Sequence, residues 1–138
     1  MAIQPDMIGI VVSDMAAALA FYRMLGLDIP GGQENEPHVE VTTPNGYRIA
    51  WDSEQLMRDI SPNWQTPVGQ RVALAFKCDS PAEVDSLYAT IVAAGYSGHK
   101  EPWDAFWGQR YAQVVPCESY PESARLLGVE PLLGVRQQ

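Results

Sequence analysis

Met7-Ile8-Gly9-Ile10-Val11-Val12-Ser13-Asp14 is the stretch on which the fold turns. Met7 to Val12 is a β-branched, apolar run, long enough for a buried strand and too short for a helix. Ser13-Asp14 then gives a helix N-cap signal. Met15, Ala18, Leu19, Tyr22 and Leu25 recur at helical spacing, and Gly26 supplies the stop. The reading is strand, capped helix, glycine terminator.

Working outward, Gly31 to Pro37 is a polar loop. His38 to Thr42 alternates polar and apolar, as a half-buried strand does. Pro44-Asn45-Gly46 is a turn, and Asn-Gly is the strongest short hairpin signal. Tyr47 to Trp51 returns as the partner strand. With Leu27-Asp28-Ile29 as a short strand, this first unit reads βαβββ. Ser53 to Gln70, with Pro62, Pro67 and Gly69, is a linker that has room for a short helix near Glu54 to Asp59.

The pattern then repeats. Arg71 to Cys78 is an apolar strand. Ser80 can cap a helix, Pro81 suits its first position, and Glu83 completes a capping box. Val84, Leu87, Ile91 and Ala94 follow at helical spacing, and Gly95 ends the run. His99-Lys100-Glu101 reads as a short strand. Gly108 to Val115 is another, with Tyr111, Gln113 and Val115 on one face and Arg110, Ala112 and Val114 on the other. A repeating βαβ array is excluded, because the Asn45-Gly46 hairpin joins strands without a crossover helix.

The expected fold class is therefore α+β: two βαβββ modules, about residues 5–53 and 70–133, joined by a linker over about 54–69. The last strand of the second module is the open position. Pro116 to Glu122 carries no familiar turn, Ser123 to Gly128 reads as a short helix or turn, and Gly128 to Leu133 reads as an apolar edge segment. An unfilled position there leaves an edge that a second copy can cover.

Composition limits the function classes. The chain has 138 residues, 46% hydrophobic and 19% charged, which is an ordinary globular composition. Its net charge is −8, from 9 Lys and Arg against 17 Asp and Glu, with no basic run. Nucleic-acid binding by phosphate neutralisation and anionic membrane surfaces are thus disfavoured. The acidity favours a cationic ligand or serves solubility alone. No apolar run approaches the roughly 20 residues that span a bilayer. The N-terminus lacks the basic segment of a secretory signal, so a cytoplasmic protein is expected. Cys78 and Cys117 have neither CxxC nor zinc-site spacing.

Met7 to Asp14, then Phe21-Tyr22-Arg23-Met24-Leu25-Gly26-Leu27, resembles the opening of the vicinal oxygen chelate superfamily. That group contains glyoxalase I, bleomycin resistance proteins and extradiol dioxygenases. Trp107 to Ala112 is similar to the family's second half, and the likeness runs over about residues 7 to 115. The resemblance implies a single domain whose two βαβββ modules form a curved, mixed β-sheet cup with helices outside. It also implies a homodimer.

Enzymes of the family hold a divalent metal with His, Gln or Glu at the ends of equivalent strands. The matching positions here are Met7, Ala50 and either Arg71 or Val72. None suits Zn, Ni, Mn or Fe: Met7 offers a soft thioether, and the others bring no suitable donor. His38 and His99 lie off the matched positions, in different modules. The expectation is no metal, no cofactor and no catalytic residue.

What remains is aromatic. Trp103, Asp104, Phe106 and Trp107 cluster in a loop between strands, with Arg110 and Tyr111 just beyond and Trp51 ending the first hairpin. Such a set can stack on a planar or cationic ligand. It can equally fill the mouth of a sheet or a dimer interface. The resulting expectation is a metal-free binder that sequesters a small planar or cationic molecule such as an antibiotic, through Trp51, Trp103, Asp104, Phe106, Trp107, Arg110 and Tyr111. The alternatives are a metal-dependent lyase or dioxygenase of the same superfamily, and a protein-interaction module.

Overall fold

The structure, a computed structural model, describes residues 3–66, 73–115 and 132–137. The chain divides into two compact units, Met1–Thr66 and Pro67–Gln138.

In the first unit, β1 (Ile8–Val12) leads into α1 (Met15–Met24). Asp14 caps the helix by accepting from the Ala17 N–H at 3.0 Å. β2 (His38–Thr42) and β3 (Arg48–Ser53) follow, then α2 (Glu54–Ile60), capped by Ser53. The sheet order is β1-β3-β2, with β1 parallel and β2 antiparallel to β3. Leu19, Phe21 and Tyr22 of α1 are buried together with Val39 and Trp51.

Leu27 to Ile29 is not a strand. Arg23 takes the carbonyls a strand partner would need: its guanidinium donates to Ile29 O at 3.0 Å and Pro30 O at 2.8 Å. Ile29 is buried without joining a ladder. Among the described residues this unit therefore runs βαββα instead of βαβββ.

In the second unit, β4 (Ala73–Cys78) leads into α3 (Pro81–Ala93). Ser80 accepts from the Glu83 N–H at 3.2 Å, and the Glu83 carboxylate accepts from the Asp79 N–H at 2.6 Å. The capping residues thus behave as their sequence predicts, with the carboxylate reaching one residue further back. β5 (Ser97–Asp104) and β6 (Arg110–Val115) form a hairpin, and β7 (Leu132–Gln137) completes the sheet. Val84, Ala112 and Cys78 form a core cluster with Leu87 and Tyr88 against it.

Two expectations change here. β5 extends through Asp104, so Trp103 and Asp104 stand on a strand and not in a loop. β7 is no edge: the order is β4-β7-β6-β5, with β7 parallel to β4 and antiparallel to β6. A strand that fills two ladders leaves its N–H and C=O groups no open side. The readings of Pro116 to Glu122 and Ser123 to Gly128, and the positions Arg71, Val72 and Cys117, lie outside the described residues.

The two hairpin turns are built alike. Thr43 N–H donates to Tyr47 O at 2.8 Å, and Gly46 N–H to Thr43 O at 2.9 Å. Ala105 N–H donates to Gln109 O at 2.8 Å, and Gly108 N–H to Ala105 O at 2.9 Å. Gly46 and Gly108 have φ of 89° and 91°, a left-handed conformation that glycine adopts without a Cβ penalty.

Candidate functional site

β5 carries two register irregularities, between Gly98 and Lys100 and between Lys100 and Trp103. Lys100 pairs with Gln113 and Trp103 with Tyr111, so three steps along β5 match two along β6. In a regular strand residues three apart point to opposite faces. The extra residue cancels that alternation and brings Lys100 and Trp103 to one face.

That face borders a cavity of about 380 Å³ lined by Ala75, Lys100, Trp103, Trp107, Gln109, Tyr111 and Gln113. Trp103 meets Tyr111 edge-on at 5.1 Å between ring centres, and Trp107 meets Tyr111 at 5.6 Å and Trp103 at 6.2 Å. The Lys100 ammonium sits 4.1 Å from the centre of the Trp103 ring. The Trp107 indole N–H donates to Gln109 Oε1 at 2.9 Å, which fixes both side chains at the turn.

Of the residues singled out from sequence, Trp103, Trp107 and Tyr111 come together here. Phe106 is 97% exposed at the turn tip, touching Trp107 at 5.0 Å without lining the cavity. Arg110 and Asp104 leave the site. Arg110 shares its strand parity with Ala112 and Val114, and donates to Asp85 of α3 at 2.9 Å and to Asp104 at 3.3 Å. Trp51 belongs to the first unit, where it is 0% exposed and 5.1 Å from the ring of Tyr22 on α1. Parity explains this, since Trp51 and its partner Val39 face the buried side. Sequence reading missed Ala75, Lys100 and Gln113 as lining residues. Gln113 was legible as the strand neighbour of Tyr111, whereas Lys100 depends on a bulge that no periodicity announces.

The opposite parity on β2 and β3 carries charge. His38 faces Asp52 in register, with Nδ1 2.5 Å from Oδ1. Its Nε2 lies 3.4 Å from Glu40, both Glu40 oxygens accept from Arg48 at 3.0 Å, and Arg48 also reaches Asp6 at 2.8 Å. The hydrogen bond to Asp52 holds the His38 pKa above its ordinary value, while Arg48 holds that of Glu40 below. His38, Glu40, Arg48 and Asp52 thus pair with one another along this face.

Ala50, one of the matched metal positions, is fully buried between these pairs on β3, and Met7 directly precedes β1. A methyl and a thioether give a hard divalent ion nothing to bind. No group of three or more His, Cys, Asp or Glu with metal-holding geometry occurs among the described residues. His99 stands on β5 in the other unit from His38. Burial pushes the Cys78 thiol up to about 11, so it is no thiolate nucleophile at neutral pH. No helix among the described residues is long and apolar enough to cross a membrane.

The family model described as Glyoxalase/Bleomycin resistance protein/Dioxygenase superfamily matches residues 4–119, and the chain belongs to that superfamily. Solved structures agree on the fold. A hypothetical protein of S. aureus aligns at TM-score 0.76 and 16% identity, covering 100% of this chain and 96% of that one. A glyoxalase-related enzyme from Fulvimarina pelagi aligns at 0.74 and 19%, covering 99% and 89%. A glyoxalase/bleomycin resistance protein/dioxygenase family enzyme from Burkholderia phytofirmans PsJN aligns at 0.71 and 18%, covering 96% of each. No curated protein matches the chain. At these identities the likeness carries the fold and leaves the activity to the site.

Proposed function

We propose that this chain binds a small planar molecule, such as an antibiotic, on the aromatic face of its second unit, and acts by holding it without a metal. One observation carries the reading: Trp103, Trp107 and Tyr111 surround a cavity of about 380 Å³, with two Gln side chains at its border. Rings around a cavity of that size offer stacking area to a flat ligand, and the amides fix its orientation. The chemistry of Met7 and Ala50 supports the metal-free part, because neither supplies a hard donor.

The test is a panel of planar compounds, antibiotics included, titrated against tryptophan fluorescence in the presence of a chelator. Saturable quenching by a panel member supports the reading. Quenching that requires added Zn, Ni, Mn or Fe contradicts it, as does metal-dependent turnover of a hemithioacetal or a catechol.

A further inference from the structure

The second unit's sheet sorts charge in a way that the composition hides. The register defines a row across all four strands: Ala75 of β4, Gly134 of β7, Gln113 of β6 and Lys100 of β5. The next row is Lys77, Arg136, Tyr111 and Trp103. Among the described side chains of these two rows, Lys77 and Lys100 are cationic and none is acidic, in a chain of net charge −8. Ala75, Gly134 and Gln113 bring no charge, so the first row ends on a single cation. Among the described residues that line the cavity, Lys100 is the charged one. Among the described residues no carboxylate pairs with it; its contact is the Trp103 ring, whose face it already covers. Asp104, the acid nearest in sequence, is tied to Arg110.

From this we infer that the cavity selects a planar anion, an aromatic carboxylate or phenolate, with Lys100 as its counter-ion and Gln113 as an amide donor. The inference rests on the binding reading above and names its ligand class. It runs against the attraction for cations that the net charge suggests. A ligand cation meets a Trp103 face already taken by an ammonium, and like charges repel. A ligand anion stacked on Trp107 or Tyr111 gains a charge-assisted hydrogen bond from Lys100.

Three isosteres separate charge from shape: 2-naphthoate, 2-naphthamide and 2-naphthamidine, titrated calorimetrically into the full-length chain at low salt. The expected order is carboxylate, then amide, then amidinium, with roughly a fivefold step from amide to carboxylate for a partly exposed pair. Lys100→Met removes that step, so that the carboxylate and the amide bind alike. Tyr111→Ala weakens carboxylate and amide alike, since it removes stacking area and no charge. An amidinium that binds as well as the carboxylate, or a carboxylate step that survives Lys100→Met, overturns the inference. In that case amide binding that persists leaves the binding reading standing. Failure of all three isosteres to bind overturns both.

Discussion

The two hairpins share their turn geometry and differ in what they carry. In the first, Thr43 to Tyr47 encloses Pro44-Asn45, and the strands beyond it hold His38, Glu40, Arg48 and Asp52 in mutual ion pairs. In the second, Ala105 to Gln109 encloses Phe106-Trp107, and the strands beyond it hold rings around a cavity with one carboxylate-free cation among the described residues. The difference teaches that one backbone device serves two ends. Where every charge is satisfied by a neighbour, the face contributes to stability. Where the backbone bulges, it turns a lysine and a tryptophan to one side, beside the cavity.

Substitutions can break this contrast, and the tryptophans give the largest effect. Trp51→Ala, in the buried layer of the first unit, should cost ~3–5 kcal/mol in urea unfolding. Trp107→Ala, half-exposed beside the cavity, should cost less than ~1 kcal/mol in the same assay. Comparable losses would remove the distinction between a core ring and a site ring.

Gly98→Ala comes next. The Tyr88 hydroxyl lies so close to Gly98 that an added Cβ has no room. The expected loss is about 1–3 kcal/mol, because Tyr88 must shift out of its packing. A thermal midpoint equal to that of the parent chain would show that Tyr88 swings away freely.

Tyr111→Ala should weaken 2-naphthamide about tenfold, since it removes a ring that two tryptophans contact. Calorimetry reads this directly, and unchanged affinity would move the ligand elsewhere.

The smallest effect sharpens the charged face. The hydrogen bond to Asp52 raises the His38 pKa above its ordinary 6.5. The protonated form is therefore favoured in the folded state, and its contribution is full below about 6.5. It is lost as the pH rises through the raised folded value. His38→Gln should flatten this part of the stability profile, by less than ~1 kcal/mol for a pair this exposed. A stability that grows between pH 6.5 and the raised value in the parent chain alone would reverse the sign.

Much of the architecture was legible from local chemistry. Asp14, Ser80 and Pro81 mark helix starts because capping is a local hydrogen bond. Asn45-Gly46 marks a hairpin because the turn needs a left-handed residue. Leu27 to Ile29 misled because the Arg23 side chain competes for backbone carbonyls, a tertiary contact that propensity does not encode. Gly128 to Leu133 reads as an edge segment, whereas β7 (Leu132–Gln137) lies inside the sheet, because strand order is a long-range property. On β6, the alternation puts Tyr111 and Gln113 on one face and Arg110 on the other, although the sequence reading grouped Arg110 with the aromatic set. The aromatic run carries no signal of its faces, so the sequence groups with the cavity Phe106, which touches Trp107 from outside it, and Asp104, which pairs with Arg110. Lys100 stayed hidden because a bulge changes parity without changing composition.

The most direct test uses the four tryptophans, which divide between the units as Trp51 and Trp64 in one and Trp103 and Trp107 in the other. Each gives one indole N–H signal in a ¹H–¹⁵N spectrum. The account predicts that 2-naphthamide, added with EDTA present, shifts the Trp103 and Trp107 signals saturably and leaves those of Trp51 and Trp64 in place. Movement of Trp51 or Trp64 alone, or no movement at all up to millimolar ligand, would contradict it.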